Sequence, residues 1–111
     1  MFVKGADRTA VTAEPGITRK VLAYSEALMM CEIAFEAGAK ASMHSHPHSQ
    51  VTYVKSGRMR FTLGDETREV GEGDSVLIPP YAVHGVESLE ATVLVDVFSP
   101  ARWDFVTPDE K

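Results

Sequence analysis

Residues 44–50 read His44-Ser45-His46-Pro47-His48-Ser49-Gln50, so three of the chain's four histidines fall within five positions. The fourth, His84, closes the segment Ile78-Pro79-Pro80-Tyr81-Ala82-Val83-His84. On a strand, side chains two residues apart project from one face, roughly 7 Å from each other. An extended run from Lys40 to His46 therefore points His44 and His46 the same way. Gln50 has the same parity, but Pro47 cannot donate to a sheet ladder and bends the chain between them, so a turn must bring Gln50 back. Neutral imidazole is the commonest protein donor to divalent transition metals, and four donors from two segments leave room for water or substrate. The spacing thus assigns His44, His46, Gln50 and His84 as ligands of one divalent metal per chain. Nickel, zinc, iron and manganese all suit these donors. A solvated His-rich loop is the plain alternative, but it does not explain a second histidine at its own Pro-Pro turn behind a buried-looking strand. His48, directly after Pro47, is expected at the mouth of the site.

The rest of the chain alternates with period two. Met29, Cys31, Ile33 and Phe35 share one face of a strand over Leu28–Phe35, and Met59, Phe61 and Leu63 share one face of Arg58–Leu63. Further strands are expected over Thr18–Tyr24, Lys40–His46, Gln50–Lys55, Thr67–Val70, Ser75–Pro79, Val83–Glu87 and Ala91–Ser99. Gly64-Asp65 reads as a hairpin turn, and Gly71-Glu72-Gly73-Asp74 as a tight loop. Nine or ten short strands without a helical period predict an all-β fold, a barrel or double-sheet sandwich of the jelly-roll kind. The expected layout is one domain: a loose N-terminal arm over 1–17 with a short strand near Phe2–Lys4, a barrel core over 18–99, and a tail over 100–111 holding one helical turn near 101–106.

At 111 residues the chain is long enough to bury a core without staples. A formal charge of −5, with no basic run interleaved with aromatics, argues against nucleic acid as a partner. No run is long and apolar enough to span a bilayer, and the N-terminus has no apolar leader, so the expected location is the cytoplasm. Cys31 is the one cysteine, which excludes an internal disulfide framework, and its place in the alternation makes it a small buried hydrophobe. Edge strands and the arm favour a homodimer.

Gly38-x5-His44-x-His46-x3-Gln50-x6-Gly57 resembles the first cupin motif, with Gln in place of the commoner Glu. Gly73-x5-Pro79 followed by His84 resembles the second, with Tyr81 and Ser88 where Gly and Asn are usual. The likeness extends over Arg19–Tyr24, Ile78-Pro79-Pro80, His84-Gly85-Val86 and Asp96–Arg102 to the KdgF type of cupin. Ser49 and Thr52 depart from its commoner residues. The resemblance implies a jelly-roll barrel with a divalent metal in its mouth. It also implies an enzyme that opens unsaturated monouronates, released from pectin or alginate, into linear 4-deoxy-5-keto uronates. With it come metal ligation by His44, His46, Gln50 and His84, and active-site roles for Asp96, Phe98 and Arg102.

Read from the residues alone, Asp96 shares a strand face with Leu94 and Phe98, where a carboxylate is expensive unless paired or working; the alternative is a solvated place at the rim. In the reaction that the resemblance implies, a working Asp96 is the general acid/base for the proton at the sugar's C4. Arg102, two residues past Pro100, either folds over the mouth to grip a sugar carboxylate or is a surface arginine. Thr52, Phe98 and Tyr81 are candidate lining residues of a pocket for a small anionic sugar. Rival readings are an iron cupin dioxygenase, for which three histidines with open positions also serve, and a non-catalytic binding module.

Overall fold

The structure, a computed structural model, describes residues 1–106. Ten strands form two antiparallel sheets. The strands are β1 (Val11–Glu14), β2 (Ile17–Tyr24), β3 (Met29–Phe35), β4 (Lys40–His44), β5 (Ser49–Ser56), β6 (Arg58–Leu63), β7 (Glu66–Gly71), β8 (Ser75–Ile78), β9 (His84–Ser88) and β10 (Thr92–Ser99). The six-stranded sheet runs β1-β2-β3-β10-β5-β8, and the four-stranded sheet β4-β9-β6-β7. This is the jelly-roll sandwich expected from the alternation. The inward residues of both sheets form its core, with Met29, Cys31, Val54, Met59 and Ile78 fully buried. Period two carries the fold because each strand must bury one face against the opposite sheet.

Three boundaries differ from the sequence-based expectation. The arm over 1–17 is not loose throughout, and Phe2–Lys4 is no strand. A 3-10 turn covers Gly5–Asp7, while Val11–Glu14 pairs with β2 through the tight turn at Pro15-Gly16, where Gly16 takes a φ of 76°. Pro and Gly there close a hairpin instead of loosening a tail. The strand expected to reach His46 stops at His44, because Pro47 has no donor for a ladder and the His46 carbonyl accepts from the Tyr81 N–H instead (2.8 Å). The C-terminal segment folds back onto the core: Ala101 and Val106 are buried, and a 3-10 turn at Trp103–Phe105 matches the expected helical turn. The part of the expected tail beyond residue 106 lies outside the described residues.

Two devices bring the sheets to the site. A bulge in β4 shifts the register between Ala41 and His44, so both turn inward although they stand three positions apart. Gly85 lets β4 approach β9 closely, since a Cβ there would meet Met43 Sδ at 2.8 Å and the Ala41 carbonyl at 3.0 Å. His44 thereby lies directly opposite His84.

The outer faces of the sheets differ. That of the four-stranded sheet carries Lys40–Glu87, Arg60–Glu87, Arg58–Glu69 and Arg68–Glu66 pairs. On the six-stranded sheet, Met30, Val51, Tyr53 and Leu77 are exposed, with Val97 opposite both Met30 and Val51 and Leu77 opposite Val51. Among the described residues no helix is long and apolar enough to cross a membrane.

Candidate metal centre and active site

The imidazoles of His44, His46 and His84 converge so that their candidate donor atoms all lie within 4.8 Å of one another. His44 and His84 come from paired strand ends of the four-stranded sheet, with ring centroids 4.3 Å apart, while His46 stands in the loop after β4. His46 and His84 are buried and His44 is exposed, which leaves one side of the cluster accessible.

Each ring is oriented by a backbone carbonyl two residues away. His44 Nδ1 faces the Ser42 carbonyl at 2.8 Å, His84 Nδ1 the Ala82 carbonyl at 2.9 Å, and His46 Nδ1 the His48 carbonyl at 3.1 Å. A carbonyl only accepts, so these contacts put the proton on Nδ1 and leave each Nε2 lone pair available, the arrangement of metal-bound histidines. Burial, together with the neighbouring His44, His46 and Arg102, lowers the pKa of His84 and keeps that ring neutral.

Gln50 joins the cluster from β5 of the other sheet, with Oε1 2.8 Å from His46 Nε2. Its Nε2 donates to Thr52 Oγ1 (3.0 Å), and the Thr52 hydroxyl donates to Asp96 Oδ1 (2.6 Å). An ionised carboxylate only accepts, so the direction of the whole relay follows: Thr52 gives its proton to Asp96, takes one from the Gln50 amide, and leaves the amide oxygen facing His46. A neutral His46 then has one proton for two oxygens, the His48 carbonyl and Gln50 Oε1. One of the two contacts is acceptor against acceptor, and a cation beside Nε2 removes the conflict. The donor set of three histidines and an amide oxygen thus fits a divalent metal.

Asp96 lies directly opposite Thr52 across the β5–β10 ladder and is buried, not solvated at the rim. Burial raises its pKa to about 6, with hydrogen bonds from Thr52 and Gln50 and the charge of Arg102 holding it down in part. The carboxyl can therefore carry or release a proton near neutral pH.

A cavity of about 310 Å³ between the sheets is lined by His44, Gln50, Thr52, His84, Asp96, Phe98 and Arg102, together with Arg19 and Phe105. Phe98 packs edge-on against His46 (5.8 Å) and Phe105 (5.7 Å). Arg102 does fold over the cavity, but its guanidinium is already held by Asp104, from Nε to Oδ1 at 3.1 Å and from Nη2 to Oδ2 at 2.9 Å. Tyr81, expected at the entrance, is not part of the lining. Next to the Pro79-Pro80 turn it takes a φ of 66° and is 70% exposed, so it serves the site through its backbone N–H, which donates to the His46 carbonyl. His48 lies beside the site as expected, half-buried and edge-on to His46 and Phe98. Its pKa is lowered by burial and by Arg102 and His46. Arg19 and Phe105 were not foreseen as lining residues. The signal for Arg19 was present in Ile17-x-Arg19-x-Val21, where a charge occupies the inward parity between two apolar residues; Phe105 gave none.

The Cupin domain family model matches residues 31–98, more than half of the chain. The chain is a cupin. It is 40% identical to pectin degradation protein KdgF of Dickeya dadantii over 93 residues, spanning 82% of this chain and 84% of that protein. The structure of KdgF from Halomonas sp. superposes on this cupin with a TM-score of 0.91 at 33% identity, covering 96% of this chain and 98% of the other. An RmlC-like cupin from Shewanella frigidimarina gives a TM-score of 0.91 at 35% identity over 95% of each chain.

Proposed function

We propose that this cupin is a metal-dependent enzyme that opens 4,5-unsaturated monouronates, derived from pectin or alginate, into linear 4-deoxy-5-keto uronates. The observation that carries the reading is the buried Asp96, joined through Thr52 to Gln50 and sharing one cavity with His44 and His84 of the three-histidine donor set. Similarity to two KdgF proteins supports it. The cavity is at the low end of the roughly 300–1,000 Å³ usual for small-molecule sites, suited to a single sugar and not to a polymer.

The reaction is an isomerisation. The C1 hydroxyl loses its proton as the bond from C1 to the ring oxygen breaks, giving an aldehyde at C1; the released enol at C5 becomes a ketone as C4 gains a proton. A divalent metal held by His44, His46, Gln50 and His84 supplies Lewis-acid polarisation of a substrate oxygen. Asp96 is the general acid/base that handles the proton at C4, and Thr52 holds its carboxyl in place. Phe98 closes the wall behind the sugar, and the three neutral imidazoles leave the metal's charge undiminished for an anionic substrate. The test is the ultraviolet absorbance of the C4=C5 bond in a monouronate made with a polysaccharide lyase. Its decay quickens with metal-loaded enzyme, and a rate equal to the spontaneous one refutes the reading.

We also propose that two copies pair through the outer face of the six-stranded sheet. Its Met30-Val97-Val51-Leu77 row is apolar and self-complementary, and the bordering Lys55–Glu32 pair carries one charge of each sign, so a two-fold copy meets it without net repulsion. Light scattering should report a dimer that Val51→Lys with Leu77→Lys converts to a monomer. A wild-type monomer at all concentrations refutes the pairing.

A further inference from the structure

We infer that Arg19 forms a carboxylate-binding subsite of the cavity, gripping the acid group of a sugar acid that Arg102 alone is not free to hold. The inference rests on the sugar-acid reading above and adds which residue reads the acid.

Arg19 occupies the inward parity of β2 between Ile17 and Val21, which are 3% and 5% exposed, and it lines the same cavity as His44, His84 and Asp96. A guanidinium on a core-facing position is expensive unless it is paired. Among the described residues no ion pair includes Arg19, whereas Arg102 is engaged by Asp104 through two hydrogen bonds. That pairing also lowers the pKa of Asp104.

What holds Arg19 is an aromatic ring. Its guanidinium carbon lies 3.8 Å from the centroid of Phe105, and that of Arg102 lies 4.0 Å from the same centroid. Stacking fixes the plane of a guanidinium while leaving its N–H edge free, the geometry that grips a carboxylate through two parallel hydrogen bonds. Burial and, less, the nearby Arg102 lower the pKa of Arg19, and Cys31 and Asp104 offset this only in part, so a bound anion would complete the compensation. Asp96 does not provide it, being hydrogen-bonded to Thr52 and influenced by Arg102. The subsite therefore takes a planar monoanion, a carboxylate, on a sugar whose oxygens face the histidine end.

The test uses metal-loaded full-length protein in four forms: wild type, Arg19→Gln, Arg19→Lys and Arg102→Gln. Calorimetry with galacturonate and with neutral galactose reads the acid group, and the arginine Nε–H NMR signals during titration with acetate and galacturonate read the guanidinium itself. Arg19→Gln should weaken galacturonate at least about tenfold while leaving galactose and metal content unchanged, Arg19→Lys should recover part of the loss, and the Arg19 signal should shift with either carboxylate. With the unsaturated monouronate, KM should rise by a similar factor with kcat within about threefold. Equal galacturonate affinity in wild type and Arg19→Gln overturns the subsite, as does a loss shared equally by galactose. A wild type that opens the unsaturated sugar as fast as Arg19→Gln at every concentration keeps the proposed reaction and removes the subsite. An Arg19 signal that responds to carboxylates, in a protein that never consumes the unsaturated sugar, keeps the subsite and removes the reaction.

Discussion

At one end of the cavity, His44, His46 and His84 come from the ends of two paired strands and the loop that follows one of them, and each ring is fixed by a carbonyl two residues away. At the other end, Arg19, Arg102 and Phe105 come from β2 and the C-terminal segment, far apart in sequence, and are held by ring stacking and by Asp104. The first end is positioned by short-range backbone geometry and the second by the docking of a segment. Rigid placement of donor lone pairs suits a metal, while a stacked guanidinium suits the recognition of a whole functional group. Asp96 lies between them, buried in β10 and linked through Thr52 and Gln50 to the histidine end.

If the ends have separate duties, the largest effect comes from the histidine end. His84→Ala should lower bound metal from about one per chain to nearly none by elemental analysis, and turnover should vanish with it, because only two imidazoles and a weakly donating amide oxygen remain. The arginine variants, by contrast, should keep their metal. A His84→Ala protein with full metal content would dissolve the distinction between the two ends.

Asp96→Asn, between the ends, should retain metal and lose about 10²–10⁴-fold in kcat, the usual contribution of a general acid/base. The substitution also has a pH signature in metal-free protein. The folded-state pKa of Asp96 is raised to about 6 from an ordinary 3.8, so the folded state binds its proton more tightly than the unfolded chain. Stability from this group is full below about pH 4 and is lost as pH rises through about 6, where burying the ionised carboxylate costs about 3 kcal/mol. Asparagine does not ionise. Metal-free Asp96→Asn should therefore be the more stable protein above about pH 7 in urea unfolding, with the difference shrinking toward pH 4; a constant difference across that range means that Asp96 does not titrate in the fold.

The two ends were unequally legible in the sequence. His44, His46 and Gln50 lie within seven residues and His84 at a marked turn, so spacing alone drew the metal end together. The route was only partly right: the strand stops at His44, and the bulge in β4, invisible in a pattern of alternation, sets the facing of His44 and His84. Asp96 was legible because strand parity places it with Leu94 and Phe98, and burial followed. The arginine end was mostly hidden. Arg102 was singled out, but its capture by Asp104 depends on the 3-10 turn, and the place of Phe105 depends on how the C-terminal segment packs over β2. Such docking is decided by tertiary contacts that no local period records. Arg19 is the exception, a charge on the inward parity of β2 between Ile17 and Val21 that the alternation already marks.

The smallest effect should come from the ring that joins the two guanidiniums. Phe105→Ala removes the stacking surface of Arg19 and Arg102 without removing either charge, so each keeps its attraction for an anion but loses its fixed plane. Cation–π contacts of partly exposed groups contribute about 0.5–1 kcal/mol each, so substrate KM should rise only about three- to tenfold, with kcat and metal content near wild type. Phe105→Leu, which preserves bulk but not the π face, separates packing from stacking. If Leu restores KM fully, the ring acts as filler and the guanidiniums are oriented by something else. If Leu behaves as Ala does, the orientation of the arginine end depends on the aromatic face, as that of the histidine end depends on its three carbonyls.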